Sequence, residues 1–177
     1  MRLFKSIIIL LVLLSSSSYA QSLTPFTAQT LTDEKIELPQ SLNGKKSIVF
    51  LAFTKEAEMM LDNWYAPVYT MFLDQSGFNA MAFDCHVKLV MMFTGVGEQL
   101  ADNIIEKIKE NVDEEMNDYL LFHKGDFKSQ MKALGLKKKD DAYVLVLDEK
   151  GDILLLETGR YSESKLDKIA DLVELQE

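Results

Sequence analysis

Short apolar runs alternate with helical patterns along this chain, and that order restricts the possible folds more than any other feature of the sequence. Residues 47–53 and 87–93 are rich in β-branched and aromatic residues, which is typical of strands buried on both faces of a sheet. Between them, apolar residues recur every three or four positions from 55 to 73, so this segment is predicted to be an amphipathic helix. A helix between two strands requires a crossover connection, and the two strands should therefore pair in parallel.

Two residues of this predicted helix are informative. Trp64 shares its apolar face with the neighbouring hydrophobic residues, so we expect it to be structural rather than part of a binding surface. Pro67 lies inside the pattern and has no N–H to donate to the preceding turn. The helix is therefore predicted to be kinked near this proline.

A second amphipathic pattern follows residue 97 and predicts another helix. Its apolar residues are expected to face the sheet: Leu100, Ala101, Ile104, Ile105, Ile108 and Val112. A short strand is predicted at 119–122, and a further helix, capped by Asp126, should run to about Leu134. The central part of the chain thus continues the alternation of strands and helices.

Hairpins are predicted at both ends of this pattern. Residues 32–35 separate two short extended pieces, and a five-residue loop containing Gly151 joins strands at 143–147 and 153–156. Ser162 then caps a last helix. Crossovers combined with hairpins predict an α/β fold of three layers, with a mixed central sheet, an N-terminal hairpin and helices on both faces.

The first twenty residues have the pattern of a secretory signal peptide. Arg2 and Lys5 precede the apolar run 7–14, and small residues at 18–20 precede a predicted cleavage before Gln21. Eight apolar residues are too few for a membrane-spanning helix, which needs roughly 20. We therefore expect an exported protein, periplasmic or secreted, with 1–20 removed, no stable membrane span after cleavage, and one domain over 21–177.

Charge and cysteine content exclude several classes of function. The formal net charge is −9, and Arg160 is the only arginine after residue 20, so the chain is not expected to bind nucleic acid. Cys85 is the only cysteine, and this excludes an internal disulfide and a C-x-x-C motif. His86 and His123 are the only histidines, and neither lies in a metal-ligand motif. No metal site and no cofactor are predicted.

Together with this order of elements, three local stretches of the sequence indicate a resemblance to a known superfamily. Three stretches carry it: Trp64-Tyr65-Ala66-Pro67, Phe122-His123-Lys124-Gly125-Asp126 and Tyr143-Val144-Leu145-Val146-Leu147-Asp148. Over about residues 25–173 the chain resembles the thioredoxin and peroxiredoxin superfamily. Within it, the chain is similar to the family of mitochondrial ATP synthase assembly factors, a peroxiredoxin-like group that assists a membrane subunit of that enzyme. The resemblance implies a thioredoxin-like fold.

The chain departs from that superfamily at both positions that define its active site. Redox members carry a reactive cysteine just after the first core strand, but residues 54–59 contain no thiol. They also carry a cis-proline before the penultimate strand, and residues 139–142 contain no proline. Disulfide exchange requires a thiolate at the site of attack, so the usual redox chemistry is excluded.

The same two loops are expected to form a binding site. In this fold they should meet at one end of the sheet, because ligands favour the carboxyl ends of parallel strands. The candidate binding residues are Lys55, Glu56, Met59, Asp140 and Asp141. Charges in the first turn of a helix also occur without any function, since acids there favour the helix dipole. The leading hypothesis is a non-catalytic binding or assembly module that holds a segment of another envelope protein.

The alternative hypothesis is an enzyme that uses the single thiol of Cys85. An imidazole can activate a thiol, and His86 is its neighbour in sequence. Adjacent side chains on a strand point to opposite faces, however, so His86 is not expected to serve Cys85. We therefore expect Cys85 to be a free cysteine that packs as a small apolar residue at the edge of the strand beginning at Val87. His123 is predicted to be a surface or sheet-edge residue rather than a base.

Overall fold

The computed structural model describes residues 21–74 and 76–175, so the signal peptide predicted at 1–20 lies outside the described residues. The described residues form seven strands: β1 Phe26–Thr30, β2 Lys35–Leu38, β3 Ser47–Ala52, β4 His86–Phe93, β5 Leu120–Lys124, β6 Tyr143–Leu147 and β7 Ile153–Thr158. Four α-helices accompany them: α1 Lys55–Val68, α2 Ala101–Asn111, α3 Lys128–Leu134 and α4 Glu163–Val173. Within the described ranges, none of the helices has the length and apolarity needed to cross a bilayer.

The strands form one mixed sheet in the order β2-β1-β5-β4-β3-β6-β7. Strand β4 pairs in parallel with both β3 and β5, as expected for strands joined by helices. The β1–β2 and β6–β7 pairs are antiparallel hairpins, and β6 also runs antiparallel to β3. The predicted mixed sheet with hairpins at both ends is confirmed.

Alternate residues of β3 pack on opposite faces of the sheet and define three layers. Phe50 packs in a cluster with residues of α1 and α4, including Trp64 and Ile169. Leu51, the next residue, packs on the other face in a cluster that contains Leu134 of α3. Helix α2 lies on the same face as α1, because Leu89 of β4 packs against the clusters of both helices. The three-layer α/β/α prediction is confirmed.

Helix α1 follows its predicted face but changes its hydrogen bonding near the proline. Its buried residues recur at helical spacing and are Ala57, Leu61, Trp64 and Val68. Pro67 stands one residue before the α-helix ends, and the chain continues as a π-helix over Tyr69–Leu73. A π-helical segment is an irregularity in a helix, and here it directly follows the turn that contains the proline.

Two residues of the predicted inner face of α2 are exposed, so this part of the prediction is wrong. Leu100 is 55% exposed and Ile104 is 37% exposed, whereas Ala101 and Ile105 are buried. Residues Gly95–Leu100 form a 3₁₀-helix, so Leu100 precedes the α-helix and does not share its rotation. Ile104 lies roughly 70° around the helix from the centre of the buried face.

Each predicted cap is correct in one respect only, Asp126 in bonding and Ser162 in position. The Asp126 carboxylate accepts a hydrogen bond from the backbone N–H of Lys128 at 3.1 Å, while Phe127 occupies the N-cap position of α3. Ser162 is the N-cap residue of α4, but its side chain makes no capping hydrogen bond. Its backbone carbonyl instead accepts from Leu166 N–H at 3.1 Å. Both helices therefore begin close to the predicted residues.

Candidate functional site

Thr54 is the first residue of the stretch 54–59, in which redox members of the superfamily carry their thiol, and its side chain has a structural role. It is the N-cap residue of α1, and its hydroxyl oxygen accepts the backbone N–H of Ala57 at 3.4 Å. The same hydroxyl donates to the backbone carbonyl of Lys139 at 3.4 Å. Thr54 therefore starts the helix and joins the loop after β3 to the loop before β6, which confirms that the two loops meet.

Further contacts fix the loop before β6. The Lys139 ammonium donates to the hydroxyl of Thr94 at 2.6 Å, which links this loop to the residue that follows β4. The backbone N–H of Gly159 donates to the carbonyl of Ala142 at 2.7 Å. Because β3 and β4 are parallel and β6 is antiparallel to β3, all these loops lie at the carboxyl ends of β3 and β4. We call this end of the sheet the C-terminal edge.

The candidate binding residues on α1 are exposed to solvent. Lys55 and Glu56 are exposed, and Met59 is 60% exposed. The Lys55 ammonium lies 2.7 Å from a carboxylate oxygen of Glu58. That hydrogen bond and the charge of Glu58 raise the pKa of Lys55. Lys55 is therefore engaged with its own helix.

The candidate acids on the other loop lie at the same edge but do not contact those of α1. Asp140 is exposed and Asp141 is half-buried. The backbone N–H of Asp141 donates to the carbonyl of Lys138 at 3.4 Å, which closes a turn before β6. Among the described residues, no hydrogen bond or ion pair joins either aspartate to Lys55 or Glu56. The edge thus presents two separate groups of charges.

A shallow depression lies beside these loops. It has a volume of about 160 Å³ and separates the residues after β4 from the first turn of α3. Its lining combines the apolar side chains of Phe127 and Met131 with five polar residues: Thr94, Glu98, Asp126, Lys128 and Lys139. The C-terminal edge is therefore concave as well as charged.

Cys85 lies at the opposite end of the sheet. It directly precedes β4, whose first residue His86 pairs with Ser47 at the start of β3. Strand β3 has six residues, and a strand rises about 3.3 Å per residue, so Cys85 and Thr54 are roughly 20 Å apart or more. We call this end the N-terminal edge.

The surroundings of Cys85 do not favour a nucleophile. Burial, assisted by the charge of Asp84, raises the pKa of Cys85 to about 11. Burial also lowers the pKa of His86, and the described residues contain no hydrogen bond between its ring and the thiol. The thiol packs against the apolar cluster of α1 and α4. At neutral pH the thiolate fraction is therefore very small.

His123 is buried, so the prediction of a surface or sheet-edge position is wrong. It is 6% exposed in β5, which is an interior strand because the β1–β2 hairpin pairs along its outer side. Its Nδ1 lies 2.8 Å from the carbonyl oxygen of Thr27, and its ring packs edge-on against Phe26 and Phe127. Its Nε2 has no hydrogen-bond partner among the described residues. His123 is a core residue.

One cavity of the described molecule was not predicted from the sequence, and it is larger than the depression at the C-terminal edge. It has a volume of about 370 Å³ and lies between α1, α2 and the sheet. Its floor is apolar and comes from the sheet: Phe50, Val87, Leu89, Met91 and Leu120. Its rim is polar and aromatic: Lys55, Glu58, Asp62, Tyr65, Tyr69, Glu115 and Tyr119.

The rim residues of α1 leave a trace in the sequence. Lys55, Glu58, Asp62, Tyr65 and Tyr69 recur at intervals of three and four, which places them on one side of the helix beside its buried face. Two tyrosines on such a flank indicate a position between the core and solvent. The void behind them depends on the spacing between two helices, which no periodicity within one helix reveals.

The described residues contain no group of three histidine, cysteine or acidic side chains that could hold a metal ion. The site therefore consists of a charged and concave edge, together with an apolar cavity that reaches the first turn of α1.

Solved structures with this fold are similar over most of the chain. The pneumococcal exposed lipoprotein thioredoxin of Streptococcus pneumoniae has a TM-score of 0.58 and 13% identity, over 84% of this chain and 99% of that one. The thioredoxin domain of a thiol-disulfide oxidoreductase from Bacteroides vulgatus has a TM-score of 0.52 and 15% identity, over 89% of this chain and 99% of that one. Copper-bound Sco1 of yeast has a TM-score of 0.53 and 14% identity, over 89% of this chain and 94% of that one. These likenesses show a thioredoxin-like fold.

Comparison of sequences identifies the family. No curated protein matches the chain. The family model described as ATP10 protein matches residues 14–174, which is most of the sequence. This match agrees with the local stretches that resemble the ATP synthase assembly factors. The chain is therefore a member of the ATP10 protein family, built on a thioredoxin-like fold.

Proposed function

We propose that this protein is an exported, non-catalytic binding or assembly module that holds a segment of another envelope protein at the C-terminal edge. The observation that carries the proposal is the role of Thr54. In the stretch 54–59, where the superfamily's reactive thiol is expected, the Thr54 hydroxyl caps α1 and joins two loops, and no thiol is present. Membership in the ATP10 family supports an assembly role over a redox one.

The surface features of the edge favour an extended protein segment as the partner. Met59 offers an exposed apolar contact on α1, Glu56 is exposed on the same helix, and Asp141 lies on the loop before β6 at the same edge. Exposed apolar side chains surrounded by polar groups are typical of interaction sites. In this proposal Met59 supplies contact area, while the acids orient the segment and reject acidic competitors.

Charge reversal tests the proposed edge. The variant Glu56→Lys/Asp141→Lys should lose recovery of the partner after crosslinking in intact cells, because both carboxylates face the bound segment. Its melting temperature should change little, since exposed charges contribute little to stability. The matched control is Asp167→Lys/Asp171→Lys, which reverses two exposed acids on α4 and should leave recovery unchanged. Undiminished recovery with the first variant would move the partner to another surface.

Export is tested separately. Intact-mass measurement on protein from the cell envelope should give Gln21 as the first residue, because cleavage is expected after the small residues at 18–20. Full-length chain recovered from the cytoplasm would contradict export and leave the binding proposal to be tested in that compartment.

A further inference from the structure

The cavity between α1 and α2 has no role in the proposed function, and its chemistry is distinct from that of the C-terminal edge. Its floor consists of strand residues from β3, β4 and β5 that carry no charge. Its volume of about 370 Å³ lies in the range of small-molecule sites, which bury an apolar body and orient it with a few polar groups. The floor therefore favours an apolar chain over a polar ligand.

Three tyrosines gather at the rim. The rings of Tyr65 and Tyr69 have their centroids 6.0 Å apart, with 34° between the ring planes. Tyr119 faces them from the segment before β5, and burial together with Asp118, Tyr69, Glu115 and Tyr65 raises its pKa. In the described part of the chain, none of the three hydroxyls makes a hydrogen bond. The rim thus presents three aromatic rings whose hydroxyls are not hydrogen-bonded within the described residues.

The charge of the rim is predominantly negative. Its one cationic side chain, Lys55, is already paired with Glu58 at 2.7 Å. The carboxylates of Asp62 and Glu115 also line the rim and form no ion pair within the described residues. An anionic head group would meet unfavourable charge there, whereas a cation would meet carboxylates and the faces of aromatic rings.

We propose that this cavity binds a small amphiphilic organic cation, with its apolar chain on the floor and its positive group between Tyr65, Tyr69, Tyr119 and Glu115. Aromatic faces attract quaternary ammonium groups through the ring quadrupole, and a nearby carboxylate adds to that attraction. The rim and floor select together: the floor requires an apolar chain, and the rim requires a positive head group.

The single tryptophan reports directly on this site. Trp64 lines the cavity and is the only tryptophan of the chain, so its fluorescence is a signal from the cavity. Decyltrimethylammonium, decyl sulfate and decyl maltoside share one apolar chain and differ in head group. Titrated below their micelle concentrations, the cation should give a saturable change with at least about tenfold higher affinity than the sulfate. Equal affinity for the sulfate, or no saturable change with the cation, would overturn the proposal.

Variants separate the head-group contacts from the apolar floor. Tyr65→Leu/Glu115→Gln should weaken binding of the cation about tenfold while leaving that of the maltoside unchanged, because the floor is intact. Glu163→Gln, on the exposed start of α4, is the matched control and should change neither. Met91→Phe fills the floor and should weaken binding of both amphiphiles. Equal losses for the cation and the maltoside in the rim variant would contradict a cation site.

A peptide probe distinguishes a protein segment from a small ligand. A short peptide that pairs leucine with lysine carries the same two features on one chain. Saturable binding of this peptide without binding of decyltrimethylammonium would assign the cavity to a protein partner and overturn the proposal. Binding of decyltrimethylammonium without binding of the peptide supports the proposal. Variants are compared only where their melting temperatures equal that of the parent.

Discussion

A thiol enzyme needs its thiol and its binding surface in one place, but in this protein they lie at opposite edges of the sheet. The C-terminal edge has the exposed helix start, the meeting of loops and the concave surface, but residues 54–59 contain no cysteine, and Thr54 caps the helix there. The N-terminal edge has the thiol of Cys85, which is partly buried and protonated at neutral pH. The helix start at the C-terminal edge and the thiol of Cys85 are therefore separated by the length of a strand.

This difference indicates which parts of the fold serve packing and which remain available to a partner. At the N-terminal edge, Cys85 packs against the core, and Lys45 pairs with Asp84 beside it at 2.6 Å. At the C-terminal edge, Met59 and Glu56 are left exposed, although buried residues of the same helix lie on the sheet. The C-terminal edge therefore keeps an exposed surface although residues 54–59 contain no thiol.

The largest expected effect concerns the attachment of α1 to the C-terminal edge. Trp64 is buried, packs edge-on against Tyr161 at 5.4 Å, and donates its indole N–H to the Gly159 carbonyl at 3.1 Å. Trp64→Ala should lower the free energy of unfolding by about 3–5 kcal/mol, measured by chemical denaturation. Met59→Ala, on the exposed side of the same helix, is the control and should change it by less than about 0.5 kcal/mol. If Trp64→Ala and Met59→Ala lowered the free energy of unfolding by similar amounts, the contacts of Trp64 would not be what attaches α1 to the C-terminal edge.

Moving the thiol between the edges tests their difference in reactivity. In the Cys85→Ser background, Thr54→Cys places a thiol at the start of α1, where the helix dipole favours the thiolate. At pH 8 this thiol should react with a labelling reagent about 100-fold faster than Cys85 in the parent, because the pKa of Cys85 is about 11. Fast labelling of Cys85 in the native parent would instead support the one-cysteine enzyme.

A smaller effect is expected from the titration of Cys85. Its pKa is 9.0 in the absence of burial and about 11 in the folded protein, so the folded state keeps the proton where the unfolded chain releases it. Stability should therefore fall as pH rises from about 9 towards 11. By pH 10 the parent should lose on the order of 1 kcal/mol relative to Cys85→Ser, in paired denaturation curves. Parallel pH curves would show that the thiol is not buried.

Much of the fold followed from sequence because local patterns and the sheet agree. Strand-length runs became β3 and β4, and the expected meeting of loops appears as the Thr54–Lys139 hydrogen bond. The failures arose from tertiary placement. His123 is buried because a hairpin distant in sequence pairs with β5, and Ile104 is exposed because it lies on the flank of α2.

The candidate site was predicted less completely than the fold. Lys55, Glu56 and Met59 lie exposed at the expected edge, but Lys55 is paired with Glu58 on its own helix. The cavity could not be predicted, because its volume depends on how far apart α1 and α2 lie on the sheet. Periodicity gives the face of each helix, and the distance between helices follows only from their packing.

A crosslinking comparison between two exposed positions tests the central claim, that the C-terminal edge binds a partner without thiol chemistry. A photoreactive residue is placed at Met59, or at Asp167 on α4 as the control, in cells that carry either Cys85 or Cys85→Ser. The account predicts one partner captured from position 59, equally with and without the thiol, and not from position 167. Capture that requires Cys85, or equal capture from both positions, would contradict it.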